Sequence, residues 1–207
     1  MNIADLPVVI LCGGKGRRLG ALTATTPKCW LSVAGRPFLL HQLEMLFRRG
    51  CRRFIYADEP DVGTAAAVRL ATPLNCLTVG VIYGDTYLDI DYQRVLDDYV
   101  RYHAALVLAI CRPPAARYQP NVWYHDAKLV EYNKMERNTR LTFMDAGFSI
   151  VQRRDIVGAD LGETYQHLIS HRLSVGHEIH DRFYEIGSPE GLAETEAYLQ
   201  CRLATTT

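Results

Sequence analysis

The chain has 207 residues, with 23 acidic and 23 basic side chains and so no formal net charge at neutral pH. That length fits one domain with enough chain to bury a sizeable core. The even charge gives no general basis for holding nucleic acid or a membrane surface, and the longest apolar runs are far too short to cross a bilayer.

The N-terminus carries Asp5 and no basic segment, so it does not read as a signal peptide. Six scattered cysteines, without a Cys-x-x-Cys pair, read as reduced thiols and not as a disulfide framework or zinc site. Together these predict a cytoplasmic protein.

Val8 to Leu11 reads as a buried strand. Gly13, Gly14 and Gly16 break it, and Lys15, Arg17, Arg18 and Lys28 follow. Glycines keep side chains away from the backbone, and a loop of bare N–H groups at a strand end makes an anion-binding nest. The loop is neither a dinucleotide fingerprint, which needs Gly where Leu19 stands, nor a P-loop, which needs Gly-Lys-Ser/Thr. The chemistry favours a polyphosphate; the competing reading is a basic turn after a core strand.

Lys28 to Val33 reads as extended and Ala34 to Pro37 as a turn. Apolar residues at 39, 40, 43, 46 and 47 predict a helix over 38–49, ended by Gly50. Arg52 to Tyr56 reads as a second strand. A loop follows, and Thr64 is placed to cap an alanine-rich helix over 65–71. Leu77 to Tyr83 is another buried strand, stopped by Gly84-Asp85. Asp89 or Asp91 suits the cap of a helix reaching about His103, and Leu106 to Ile110 is the next strand.

Strands alternating with helices argue a parallel α/β sheet. Ligands in such sheets sit beyond the carboxyl ends of the strands, where both the glycine loop and Asp85 fall.

The second half is more strand-like: Asn121–Tyr124, Lys128–Lys134, Phe143–Val151, Leu173–Ile179 and Arg182–Ile186. Pro189 suits the first turn of a final helix ending near Gln200. His167 and His171 have helical spacing and read as surface helix residues, since no third metal ligand is apparent.

Gly13-Gly14-Lys15-Gly16-Arg17-Arg18-Leu19, with Leu22-Thr23 and Pro27-Lys28, resembles the signature of the sugar-1-phosphate nucleotidyltransferases. Those enzymes join a nucleoside triphosphate to a sugar 1-phosphate, giving an NDP-sugar and pyrophosphate. Arg17 replaces the family's usual Thr. The Leu11-Cys12-Gly13-Gly14 opening is most similar to the heptose 1-phosphate guanylyltransferase branch, which implies GTP and a D-glycero-D-manno-heptose 1-phosphate.

The resemblance spans nearly the whole chain. It implies a Rossmann-like, glycosyltransferase-A-like fold with a mixed, mostly parallel sheet flanked by helices. One domain, 1–207, would have a nucleotide-binding half over about 1–111 and a sugar-phosphate-binding half over about 112–207.

Nucleotidyl transfer brings two polyanions together, so it calls for positioning, cations and Mg²⁺ held by one or two carboxylates. The resemblance implies Arg18 and Lys28 as the catalytic cations. Leu11, Gly13, Gly14, Gly16, Arg17, Glu59, Gly63, Thr64 and Asp85 would bind nucleotide. Asp85, in Gly84-Asp85-Thr86, resembles the family's metal ligand. Glu185, in Glu185-Ile186-Gly187-Ser188-Pro189-Glu190, stands where the second ligand is usually Asp.

Lys134 resembles the lysine that reaches the sugar phosphate. Asp145-Ala146-Gly147 resembles the Asn-Ala-Gly stretch that contacts sugar hydroxyls, with Asp in place of Asn; Asp145 and Gly147 are placed there. Only six residues separate Tyr56 from Gly63, where relatives carry a further helix and strand. Apolar and aromatic surface on this shortened domain is compatible with a homodimer. The rival readings are a uridylyl- or cytidylyltransferase for another sugar 1-phosphate, and a weakly catalytic module that senses NDP-sugar.

Overall fold

The computed structural model describes residues 1–13, 17–23, 26–59, 61–135 and 138–205, with the side chains of Arg17, Arg18 and Ala21 outside that description. The strands are β1 (Pro7–Leu11), β2 (Ser32–Val33), β3 (Arg36–Pro37), β4 (Arg53–Ala57), β5 (Thr78–Tyr83), β6 (Thr86–Tyr87), β7 (Leu106–Cys111), β8 (Val122–His125), β9 (Lys128–Tyr132), β10 (Met144–Gln152), β11 (Ser174–Glu178) and β12 (Tyr184–Glu185). The α-helices are α1 (Phe38–Arg48), α2 (Thr64–Ala71), α3 (Tyr92–Arg101), α4 (Leu161–Ser170) and α5 (Pro189–Ala204).

Eight strands form the main sheet in the order β4-β1-β5-β10-β7-β11-β9-β8. β1 is parallel to β4 and β5, and β7 is parallel to β11. β10 runs antiparallel between β5 and β7, and β9 runs antiparallel to β11 and β8. Six strands therefore point one way and two the other: the mixed, mostly parallel sheet that the resemblance implies.

Both faces of the sheet are covered, which is why its central strands are continuous apolar runs. Val8, Ile10, Ile82, Val107 and Ala109 pack on the face covered by α1 and α3; Val9, Val81, Leu106, Leu108 and Ile110 pack on the face covered by α2 and α4. Alternate side chains of one strand thus enter two separate cores, as the two-residue pleat requires.

Several local expectations change. Lys28–Trp30 is a 3-10 turn and not extended; Pro27 starts it, and Trp30 N–H donates to its carbonyl at 2.9 Å. The strand expected over 182–186 contracts to Tyr184–Glu185. Asp91 caps α3, accepting from Gln93 and Arg94 N–H at 3.1 and 3.3 Å. Asp89 instead takes ion pairs from Arg48, Arg49 and Arg202.

Thr64 does not cap α2 but is its first residue, with Gly63 at the N-cap. Its hydroxyl accepts from Leu161 N–H at 2.8 Å, at the start of α4, and donates to Asp160 Oδ1 at 3.3 Å. The Ala159 carbonyl in turn accepts from Ala65 and Ala66 N–H at 2.8 and 3.2 Å. The two helix starts satisfy each other's orphan donors. Gly63 has φ +81°, and a β-carbon there would lie 2.5 Å from the Ala159 oxygen, so this junction needs glycine.

Candidate active site

The site lies where β1 and β5 end side by side, with Leu11 paired to Tyr83. Gly84 N–H donates to the Leu11 carbonyl at 2.8 Å, and a β-carbon on Gly84 would come within 2.5 Å of that oxygen. Only glycine lets the two strand ends approach this closely. Asp85 then projects from the turn into a cleft of about 210 Å³.

Of the residues read from the sequence, the cleft brings together Leu11, Gly13, Lys28, Glu59, Gly63, Thr64 and Asp85. Gly14 and Gly16 lie outside the described residues, as do the side chains of Arg17 and Arg18. The cleft also contains Cys12, Cys29, Tyr83 and Asp160, which the sequence reading did not select. Asp160 has a legible signal in retrospect, since it is the N-cap residue of α4.

Lys28 Nζ donates to Asp85 Oδ2 at 2.8 Å; the two side chains are 12% and 29% exposed, so the pair is shielded yet reachable. Charge-assisted bonds of this kind are among the stronger polar contacts. Thr86 hydroxyl lies 3.4 Å from the other Asp85 oxygen.

Glu185 reaches the same place through a two-residue antiparallel bridge, β6 with β12, in which Glu185 pairs with Thr86. Ile186 N–H donates to the Asp85 carbonyl at 2.9 Å and locks this register. Convergence shows at Gly187. A β-carbon there would lie 2.8 Å from Glu185 Oε2, 3.1 Å from Asp85 Oδ2 and 3.3 Å from Lys28 Nζ. Three charged groups 100 and 57 residues apart in sequence therefore border one small volume.

The Glu185 carboxylate also folds back on its own loop. Oε2 accepts from Gly187 N–H and from Ser188 N–H at 3.0 Å, and Oε1 accepts from the Ser188 hydroxyl at 2.5 Å. Ser188 hydroxyl in turn accepts from Gly191 N–H at 3.0 Å and caps α5.

On the other side of Tyr83 the expected sugar residues gather. Lys134 Nζ is 3.4 Å from Tyr83 hydroxyl and 4.0 Å from Asp145 Oδ2, and its charge sits over the rings of Tyr83 and Tyr132 at 5.2 and 5.4 Å. Asp145 has its carboxylate largely enclosed by the fold. Its side chain is 3% exposed, and it accepts from Tyr132 hydroxyl at 3.0 Å, Tyr83 hydroxyl at 3.5 Å and Gly147 N–H at 2.9 Å. Burial, then the charge of Asp145, holds both phenols well above the ordinary tyrosine range, so they stay protonated donors. Gly147 packs on Thr86, where a β-carbon would lie 2.8 Å from Cγ2.

Against known proteins, a 49-residue stretch is 53% identical to mannose-1-phosphate guanylyltransferase catalytic subunit beta of Drosophila melanogaster, covering 24% of this chain and 13% of that protein. The bifunctional protein GlmU of Methanocaldococcus jannaschii is 23% identical over 233 residues, covering 97% of this chain and 56% of that protein. The chain thus spans little more than half of the longer match.

Among solved structures, a putative glucose-1-phosphate thymidylyltransferase from Bacillus anthracis superposes with a TM-score of 0.80 at 14% identity, covering 95% of this chain and 96% of that one. The mixed sheet flanked by helices is therefore shared along almost the full length. Residues 8–82, from β1 into β5 and so including the glycine-rich stretch but ending before Asp85, match the family model of the MobA-like NTP transferase domain.

Proposed function

We propose that this chain transfers a guanylyl group from GTP to a sugar 1-phosphate, with a heptose 1-phosphate as the first candidate, releasing pyrophosphate. The observation that carries the reading is the convergence of Lys28, Asp85 and Glu185 at the end of β5. The guanylyltransferase name of the Drosophila relative supports the base, and the Leu11-Cys12-Gly13-Gly14 opening supports the sugar.

An oxygen of the sugar phosphate attacks the α-phosphorus of the triphosphate. The bond from that phosphorus to the α–β bridging oxygen breaks, and pyrophosphate leaves with the oxygen. Two polyanions must meet, so the protein's work is positioning and charge neutralisation. Lys28, already oriented by Asp85, offers a fixed ammonium to the meeting phosphates. Lys134, held over two aromatic faces, is the second cation, on the sugar side. Arg18 takes the leaving pyrophosphate, and Gly13, Gly14 and Gly16 with Arg17 take the triphosphate. Glu59, Gly63 and Thr64 face the nucleoside.

The residues fit Mg²⁺. Asp85 and Glu185 present hard oxygen donors around one spot, with Lys28 beside them and Arg117 lining the adjoining hollow. Asp85 and Glu185 would hold the ion, which when bound supplies Lewis-acid neutralisation of phosphate charge.

A second reading, an NDP-sugar-binding module without turnover, draws on Glu185, whose oxygens already serve its own loop.

Pyrophosphate release with Mg²⁺, across the four nucleoside triphosphates and heptose, mannose, glucose and N-acetyl sugar 1-phosphates, tests the proposal. Release that requires both GTP and a heptose 1-phosphate supports it. Release with a different pair moves the substrate assignment. Silence from folded protein that binds NDP-sugar by calorimetry supports the second reading.

A further inference from the structure

Helix α1 buries Phe38, Leu39, Met45 and Leu46 in the core, yet Gln42, on the same face, is 0% exposed. Its Nε2 donates to the Tyr83 carbonyl at 2.9 Å and to the Thr86 carbonyl at 2.6 Å. Those carbonyls stand on either side of Gly84-Asp85. Among the described residues its Oε1 has no hydrogen-bond partner. A buried orphan acceptor costs about 1–3 kcal/mol, and an apolar residue would fill this position without that cost. What the amide gives in return is a clamp across the turn that carries Asp85.

We infer that Gln42 is a positioning residue: its amide spans residues 83 and 86 and fixes the direction in which Asp85 enters the cleft and, through the β6–β12 bridge, the place of Glu185 beside it. The Leu11 carbonyl holds Gly84 N–H from a second side, and Ile186 N–H holds the Asp85 carbonyl from a third. Gln42 is the side chain of the three holds, so it can be removed without altering backbone. The consequence for turnover rests on the nucleotidyl-transfer reading; the consequence for the geometry of the turn does not.

The test compares wild type, Gln42→Met, which keeps the length of the side chain and removes its donors, and Leu39→Ala, which loosens the same helix and leaves the Gln42 amide in place. Amide hydrogen exchange is read in the peptides spanning residues 84–87 and 185–187, at a temperature where all three proteins are folded. The expected result is exchange at least about tenfold faster in Gln42→Met in both segments, with Leu39→Ala near wild type there. Equal exchange in Gln42→Met and wild type overturns the proposal, as does equal loosening in Leu39→Ala.

Kinetics with the substrate pair found for wild type supply the second readout. Gln42→Met is expected to lower kcat about tenfold while KM for the nucleotide moves less than about threefold, because binding through the glycine loop is left intact. An unchanged kcat beside faster exchange would deny Gln42 any part in positioning for the reaction. A wild type without turnover but with the exchange pattern intact would count against the enzyme reading and leave the clamp standing.

Discussion

Asp85 and Asp145 sit at the same end of the sheet and have opposite surroundings. Because β10 runs antiparallel to β5 and β7, its first residues lie where those strands finish, and Asp145 pairs with Ile110 near the end of β7. Asp145 is 3% exposed and receives two phenol hydroxyls and an amide from within the protein. Asp85 is 29% exposed, is matched by one lysine, and has a second carboxylate beside it. One aspartate is saturated by the fold. The other stays reachable from the cleft and has the Glu185 carboxylate beside it. Asp145 is enclosed and Asp85 is reachable from the cleft, so equal-looking residues of the sequence have different surroundings.

The sharpest way to break this contrast is Asp85→Asn. It keeps size and shape and removes the charge, so turnover should fall by about a thousandfold or more while the melting temperature moves little. Steady-state pyrophosphate release and a thermal melt check both halves; undiminished activity would end the assignment of Asp85 to the reaction.

Asp145→Leu should do the reverse. It strips acceptors from two buried phenols, so unfolding free energy from urea titration should fall by about 3 kcal/mol. Asp145→Asn, which keeps one acceptor oxygen, should lose markedly less.

Lys28→Met sharpens the contrast from the cationic side. With the fixed ammonium gone, kcat should fall about a hundredfold. Rapid-quench single-turnover measurements place that loss in the chemical step if the account holds.

The smallest effect is on pH. Burial pushes the His41 imidazole below its ordinary value of 6.5, with the Val33 carbonyl, 2.8 Å from Nε2, pulling partly the other way. Below about 6.5 the unfolded chain takes up a proton that the folded one refuses, so stability declines as pH falls through that value and levels off below the folded pKa. Urea unfolding from pH 7.5 to 5 should show this limb, and His41→Gln should flatten it.

Much of the frame was legible because it follows from local rules. The apolar runs of β1, β5 and β7 announce strands buried on both faces, and Gly84 announces the turn that presents Asp85. The apolar spacing of α1 and the Ser188-Pro189 start of α5 behave as their local chemistry predicts.

The remainder depends on partners far away in sequence. The bridge that carries Glu185 to Asp85 is two residues long and has no periodicity to read. Thr64 caps α4 across 97 residues, which no local cap rule anticipates. α4 itself showed only as the spacing of two histidines. The enclosure of Asp145 comes from Tyr83 and Tyr132, placed by the sheet and not by neighbouring sequence, so no local rule announces it.

The central claim is that bond breakage occurs at the α-phosphorus. The most direct measurement supplies GTP labelled with ³²P at the α position, together with a heptose 1-phosphate and Mg²⁺, and follows the label by thin-layer chromatography. The account predicts label in a sugar nucleotide that forms only when the sugar phosphate is present and that Asp85→Asn does not make. Label that stays in GTP, or that appears in GDP or GMP independently of the sugar phosphate, would contradict it.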